Sequence, residues 1–303
     1  ITDLGYPQSW ASRTVWEDHW ATHNTVWADL PDVATPREAG RGRLVRTLFV
    51  DGLQIVEVEA DRWAFDKDAK RWFKPGVQFR RLIALVETDG EGVALVDLSR
   101  ITGGTTHWRT CRGLEGEFSL GDTPAVPQAG TVADPMGKRG YTEGLEHLDH
   151  MALAYLDDVS VCKLPSSWKG FWKSKFEENV HLDLYQLQAS PGTDLLTARA
   201  TAMMGEPEAS TYCFRTVLWR RIPEDDTTKL DLVFEPRIAG STLADVKPIT
   251  SAENGASGVQ LTTNEGRRVK LYWSPGQNVG ESTCFEDGTV LQGALAAVVD
   301  DKA

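Results

Sequence analysis

Helical periodicity is scarce along these 303 residues, whereas short alternating or β-branched segments bounded by turn residues recur over almost the whole length. Period-two alternation gives a chain one apolar face per strand, and only pairing into stacked antiparallel sheets buries such faces. Strands are predicted over 44–50, 54–60, 77–87, 92–98, 159–164, 180–188, 195–202, 210–221, 229–235, 258–263, 268–273 and 288–298. Asp51-Gly52, Asp89-Gly90-Glu91-Gly92, Pro191-Gly192, Pro275-Gly276 and Asp287-Gly288 supply the reversals between them. The expected fold is all-β: a large antiparallel β-sandwich over residues 1–249, then a smaller C-terminal β-sheet region over 250–303, set off by the Ser, Asn and Gly of Thr250 to Gly258. Gly121 to Gly140 is rich in Pro, Gly and Ala, lacks periodicity and reads as a long surface loop.

Composition removes other classes. No apolar run reaches the 18 or so residues of a membrane-spanning helix. The balance of 32 Lys and Arg against 44 Asp and Glu leaves a formal charge of −12, which disfavours nonspecific attraction to nucleic acid or anionic membrane, so a polyanionic ligand needs a local basic patch. Cys111, Cys162, Cys213 and Cys284 lie far apart without zinc-type spacing; they read as buried thiols, or as one or two disulfides if the protein is exported. The chain opens at Ile1 with no targeting segment and stops just after an apolar strand, so it reads as a piece of a longer product. Gly-x-Ser-x-Gly and phosphate-loop signatures are absent.

The most pointed local feature is the run from His19 to Asp29. His23 and Asn24 stand just before the β-type run Thr25-Val26-Trp27, and Trp20 and Trp27 flank them. A histidine at such a strand entrance serves as a general acid or base, a charged donor or a metal ligand, or is simply held by backbone partners. Four of the eleven tryptophans fall between Trp10 and Trp27, where their flat faces suit either sugar stacking or a large core. Basic clusters follow at Arg37, Arg41, Arg43 and Arg46, at Arg80-Arg81, and at Lys169, Lys173 and Lys175. His107 with Glu115 and Glu117 reads as a loop organiser at the sandwich edge, and His147 and His150 around Asp149 as surface groups lacking a third metal ligand.

Gly5-Tyr6-Pro7, the Trp-rich stretch and His23-Asn24-Thr25-Val26 with Asp29 resemble the opening of the β-sheet region of heparinase II/III-like polysaccharide lyases. Gln78-Phe79-Arg80-Arg81, then Leu95 to Gly104 with His107, and Gly113 to Glu117 are similar to that family's paired strands and Gly-Gly turn, in the same order. Trp168 to Trp172, Arg220-Arg221 and Leu232 to Pro236 continue the resemblance, which covers about residues 5 to 250.

The resemblance implies a β-sandwich whose helical toroid is absent from this chain, a toroid domain or companion chain as partner, and an anionic uronate polysaccharide as substrate in a secreted or periplasmic enzyme. It implies β-elimination, with His23 catalytic and Asn24 orienting it, and with His19, Trp20, Arg37, Arg41 and Arg43 as substrate-binding residues. No cofactor is certain. Zinc is the candidate, with His23 and Asp51 as ligands, although Phe79 stands where the family's third ligand, a His, is expected. The rival reading is a noncatalytic carbohydrate-binding β-sandwich, and Phe79 favours it.

Overall fold

The computed structural model describes residues 19–29, 38–66, 69–138, 152–163, 165, 167–201, 213–224, 227–238, 240–253, 255–277 and 280–300. In chain order the strands are β1 (Val26–Ala28), β2 (Glu38–Val50), β3 (Leu53–Asp66), β4 (Arg71–Phe73), β5 (Gln78–Glu87), β6 (Val93–Thr102) and β7 (His107–Arg112). They continue with β8 (Gly116–Ser119), β9 (Val126–Thr131), β10 (Asp157–Lys163), β11 (Trp168–Ser174), β12 (Val180–Ala189), β13 (Asp194–Thr201) and β14 (Cys213–Arg221). The last are β15 (Thr227–Ile238), β16 (Leu243–Ile249), β17 (Ser257–Thr263), β18 (Arg268–Trp273), β19 (Ser282–Cys284), β20 (Val290–Gln292) and β21 (Leu295–Asp300). Among the described residues the helices are two 3-10 turns, Trp20–Thr22 and Ala152–Tyr155. The protein is an antiparallel all-β sandwich.

Three sheets stack as layers. A six-stranded sheet runs β1-β7-β14-β13-β10-β9, and a nine-stranded sheet runs β2-β3-β5-β6-β15-β12-β11-β8 with β4 added on β3. Between them lies a core of Cys111, Cys162, Trp168, Trp172, Leu182, Leu184, Leu195, Val217, Trp219, Leu230, Leu232 and Phe234. The other face of the nine-stranded sheet offers Leu53, Ile55, Leu82, Ala84, Val96 and Val233 to Val259, Leu261, Val269, Leu271 and Trp273 of the third sheet, β16-β17-β18-β21. A central sheet buried on both faces needs apolar residues at both parities, and β15 shows it: Leu232 points into one core and Val233 into the other. The outer face of the six-stranded sheet packs on the 3-10 turns, with Trp27 and Trp108 directly opposite in register and stacked 4.9 Å apart.

A buried carboxylate fixes the entry to the third sheet. Glu235 is wholly buried and accepts from Tyr185 Oη (3.0 Å), Ser241 Oγ, Thr242 N (2.6 Å) and Leu243 N (3.2 Å), which fixes the turn leading into β16. The boundary drawn at residue 250 falls between β16 and β17, which pair with each other.

Several elements differ from the sequence pattern. Within the supposed loop of 121–140, β9 forms and pairs with β10; it is an edge strand with exposed Val126 and Pro127, so no apolar alternation marks it. Strand β16 was hidden by Pro248, which an edge position tolerates. The predicted 288–298 strand breaks into β20 and β21 at Gly293, whose φ is +98°. β7 was missed because its sequence, HWRTCR, is polar, yet all six residues are buried. His107 does fasten a turn as expected, through Nε2 to Gly103 O at 2.7 Å, but its Nδ1 also meets Thr228 Oγ1 at 2.6 Å within the stack. Cys111 and Cys162 lie on strands three places apart in one sheet, about 14 Å, too far for a disulfide. The Cys213 side chain lies outside the described residues, and Cys284 is exposed and free.

In the turn between β19 and β20, which pair as a separate two-stranded sheet, Asp287 accepts from Tyr272 Oη (2.7 Å) and Lys270 Nζ (3.1 Å) of β18 and from Thr289 N (3.1 Å). Burial alone would raise its pKa, but these donors hold it at about 2, below the ordinary 3.8. A depressed carboxylate stabilises the fold above its unfolded pKa and stops doing so as pH falls through the folded one. The stability lead of wild type over Asp287→Asn is therefore expected to shrink as pH drops from 3.8 towards 2, measured by urea denaturation at stepped pH. A lead that stays constant over that range would refute the assignment.

Candidate functional site

The loop carrying His23 is built as a sequence of caps. His19 precedes the first 3-10 turn and accepts Ala21 N on Nδ1 at 3.0 Å, while its ring packs edge-on against Trp27 at 5.5 Å. Its side chain is thus turned inward as a cap, not outward to a substrate. Thr22 Oγ1 donates to His19 O (2.7 Å), and His23 N closes the turn on Trp20 O (3.1 Å). Arg112, fully buried on β7, covers the far end of the turn: Nη2 donates to Ala21 O at 2.6 Å, Nη1 to Thr22 O, and Nε to Thr216 Oγ1 at 2.9 Å. Those carbonyls would otherwise be orphaned acceptors at a helix end.

Asn24 is the clip. Its Oδ1 accepts the backbone N–H of Arg112 at 2.6 Å, and its own carbonyl accepts Arg81 Nη1 at 3.1 Å. One short residue thereby ties the loop to β7 in one sheet and to β5 in the other. His23, half-buried, is held between this clip and the 3-10 turn.

Behind Asn24 lies a buried charge network. Asp97 on β6 accepts Arg81 Nε (2.8 Å) and Nη2 (2.6 Å), Arg109 Nη2, and Ser99 Oγ (3.1 Å). Burial pushes a carboxyl towards neutrality, but the Arg109 and Arg81 guanidiniums beside Asp97 outweigh that and hold it far below the usual carboxylate range. Burial likewise disfavours the Arg109 charge, and Asp97 overrides it upward. Burial also pushes the Cys111 thiol up, despite Arg109 Nε at 3.4 Å from Sγ, so Cys111 stays an inert thiol.

Beside the loop a cleft of about 140 Å³ opens between Trp20, Thr25 and Val26 on one wall and β3 from Val58 to Arg62, Glu59 and Asp61 included, with Phe79 and Arg81 on the other. Phe79 is 8% exposed and packs with Val26, Ala28, Val77 and Ile101, so the cleft floor is apolar. Trp20 lines this cleft; His23, three residues on, stands at the exit of the same loop.

Other expected site residues lie elsewhere. Arg37 is outside the described residues, as are His147, Asp149 and His150. Arg41 and Arg43 are not beside His23: consecutive strand residues point to opposite faces, and both side chains lie on the face away from the cleft. Arg43 pairs with Glu59, and Arg41 sits over the Trp63 ring at 5.3 Å. Arg80 and Arg81 show the same division, the first binding Glu57 (2.7 Å) on the outer face, the second Asp97 on the inner.

Asp51 occupies the exposed β2–β3 turn, seven residues and about 23 Å of strand from Val58 at the cleft. His23 and Asp51 therefore do not share a metal, and among the described residues no three His, Cys, Asp or Glu converge on one point. With Phe79 in the cleft floor, the residues present do not fit zinc.

Arg112, Arg109 and Asp97 were missed as site residues. Their signal was a charge inside an apolar or β-rich run, as in Leu95-Val96-Asp97-Leu98, since a buried charge requires a partner.

No protein-family profile matches the chain, and no curated protein sequence matches it. Solved structures do. The heparan sulfate lyase HepC from Pedobacter heparinus superposes with a TM-score of 0.50 over 92% of this chain and 34% of that one, at 10% identity. A heparinase III gene product gives 0.49 over 86% and 31%, also at 10% identity. The chain spans about a third of the length of these enzymes, and at such identity the likeness is one of fold.

Asn24→Ala leaves the buried Arg112 N–H without its acceptor, a loss of about 1–3 kcal/mol. Amide hydrogen exchange is expected to quicken at Arg112 and His23 while β17 and β18 in the third sheet keep their protection. Unchanged exchange at Arg112 would remove Asn24 as the clip.

Proposed function

We propose that this chain is the β-sandwich part of a secreted or periplasmic polysaccharide lyase acting on a uronate-containing polymer, with the site completed by a helical domain. The observation carrying this reading is the double clip on Asn24, which fixes the backbone next to the half-buried His23, three residues from the Trp20 that lines the cleft. Preorganisation of this kind is what a proton-transfer residue requires.

The reaction is β-elimination. The uronate carboxylate is neutralised, which makes the C5 proton acidic; a base removes that proton, the C4–O4 bond breaks with formation of the C4–C5 double bond, and an acid protonates O4. His23 would handle one of these protons from the sandwich side, with Asn24 fixing its backbone. The other groups belong to the helical domain. The fold of HepC supports the architecture of this reading, and its name refers to a heparan sulfate lyase.

The chain alone is expected to show no lyase activity and to gain it when the helical part is supplied, followed by the ultraviolet absorbance of the unsaturated uronate product. In the assembled enzyme His23→Ala should lower turnover about 10²-fold or more, the span of general acid–base catalysis, with the denaturation midpoint unmoved. Unsaturated product from the chain by itself, or full turnover in His23→Ala, would sink the reading. A noncatalytic glycan-binding module is the second reading, favoured by the apolar Phe79 floor; binding without turnover in the presence of the helical part would select it.

A further inference from the structure

On the far side of the nine-stranded sheet from His23, where the third sheet stops short, two rows of polar residues cross the strands. Register aligns Arg43, Glu59, Arg80 and Arg100 in one row, and Arg41, Asp61, Gln78, Thr102 and Thr227 in the next. A cleft of about 290 Å³ lies over them, walled by Gly255, Pro275 and Gly276 of the third sheet, close to the lower end of the ~300–1,000 Å³ usual for small-ligand sites. From β3 to β15 the second row runs about 14 Å, the reach of a short oligosaccharide more than of a single ring.

Two features of this surface select the ligand. The first is charge. On this face Arg41, Arg43, Arg46, Lys74 and Arg80 meet Glu57, Glu59 and Asp61, five cations against three carboxylates, a surplus of two positive charges on a chain of −12. Glu57, wholly buried, holds Arg46 (2.6 Å) and Arg80 (2.7 Å), so these guanidiniums are fixed in place; Lys74 pairs with Asp61 (2.5 Å), and Arg41, over the Trp63 ring, is the cation least engaged by carboxylate. The second is Trp63, two residues from Asp61 on the same face of β3. Arg41 and Lys74 stand over its ring at 5.3 and 5.1 Å, and its indole Nε1–H has no acceptor among the described residues. Hydroxyl, amide and carboxylate groups in a row suit sugar hydroxyls, an indole suits the C–H face of a sugar, and the two cations suit an acidic substituent.

We propose that this outer face is a second binding surface, for an acidic oligosaccharide bearing carboxylate or sulfate groups, separate from the His23 cleft and working without the helical domain. A short DNA duplex carries anionic charge without sugar-hydroxyl rows matched to these side chains, so it tests whether the surface reads charge alone. The lyase reading can fail while this one stands: Glu59, Ala60, Asp61 and Phe79 border both clefts, but Arg41, Lys74 and Trp63 line no part of the one beside the His23 loop.

Calorimetric titration of the full chain tests it, using unsulfated chondroitin tetrasaccharide, heparin tetrasaccharide, cellotetraose and a short DNA duplex. Both acidic tetrasaccharides are expected to bind if carboxylate is read, and heparin alone if sulfate is; either outcome supports the surface. Gln78→Ala and Arg41→Gln, both at exposed positions, should each weaken binding about tenfold, the size of one lost hydrogen bond to a charged group, while Trp20→Ala and His23→Ala leave it unchanged. The proposal is overturned by any of four results: no acidic tetrasaccharide binding at millimolar concentration, cellotetraose or the duplex binding as tightly, loss caused by Trp20→Ala, or indifference to both Gln78→Ala and Arg41→Gln.

Discussion

The Asp97 carboxylate, shared between Arg81 and Arg109 in the middle of the stack, is the interaction on which the rest of the site depends. Arg81 comes from the nine-stranded sheet and Arg109 from the six-stranded one, so a single charge bridges the two layers at the point where apolar packing gives way. A buried charge is tolerable only when partners and hydrogen bonds repay its desolvation, and Asp97 has four such contacts. Because the network is satisfied from both sheets, it admits one register of one sheet over the other, which apolar contacts alone specify less sharply.

The His23 loop inherits that order. Arg81 spends two donors on Asp97 and a third on the carbonyl of Asn24, so the position of the loop follows from the position of the network. Arg112, three residues beyond Arg109 on β7, completes the hold on the 3-10 turn. Rigidity at the loop and charge in the core are therefore one construction. The two clefts meet at Glu59, Ala60, Asp61 and Phe79 but differ in character: one is floored by Phe79 under Trp20, and the other lies over the ion-paired rows of β3 and β5. A net charge of −12 thus coexists with a local positive surface, because the acidic residues lie mostly elsewhere.

Strands with clean alternation were legible. Gln78–Glu87, Val180–Ala189 and Arg268–Trp273 begin and end within a residue or two of the predicted spans, since each shows a run of β-formers between turn residues. Strands that bury charge or bury nothing were not. β7 reads as polar because its two arginines are compensated by groups far away in sequence, and β9 reads as a loop because an edge strand needs no apolar face. At the site, His23, Asn24 and Trp20 were visible as a motif, while the grouping of Arg41 and Arg43 with them failed. Nearness in sequence does not determine which sheet or which face a side chain takes: His23 leads into β1 of the six-stranded sheet, whereas Arg41 and Arg43 lie on β2 of the nine-stranded one, opposite Asp61 and Glu59.

By itself the sequence determined the class of fold, through period-two patterning and turn chemistry, and it singled out His23 with Asn24 as a local unit. These are short-range properties, set by the backbone and by neighbours within a few residues. Tertiary structure alone decided that a third sheet closes the second core, that Asp97 joins two layers, that Asp51 is remote from His23, and that Arg41 and Arg43 lie behind the sheet instead of in the cleft. Each depends on contacts across tens to more than a hundred residues of chain, where pairing and desolvation are settled only once the layers have met.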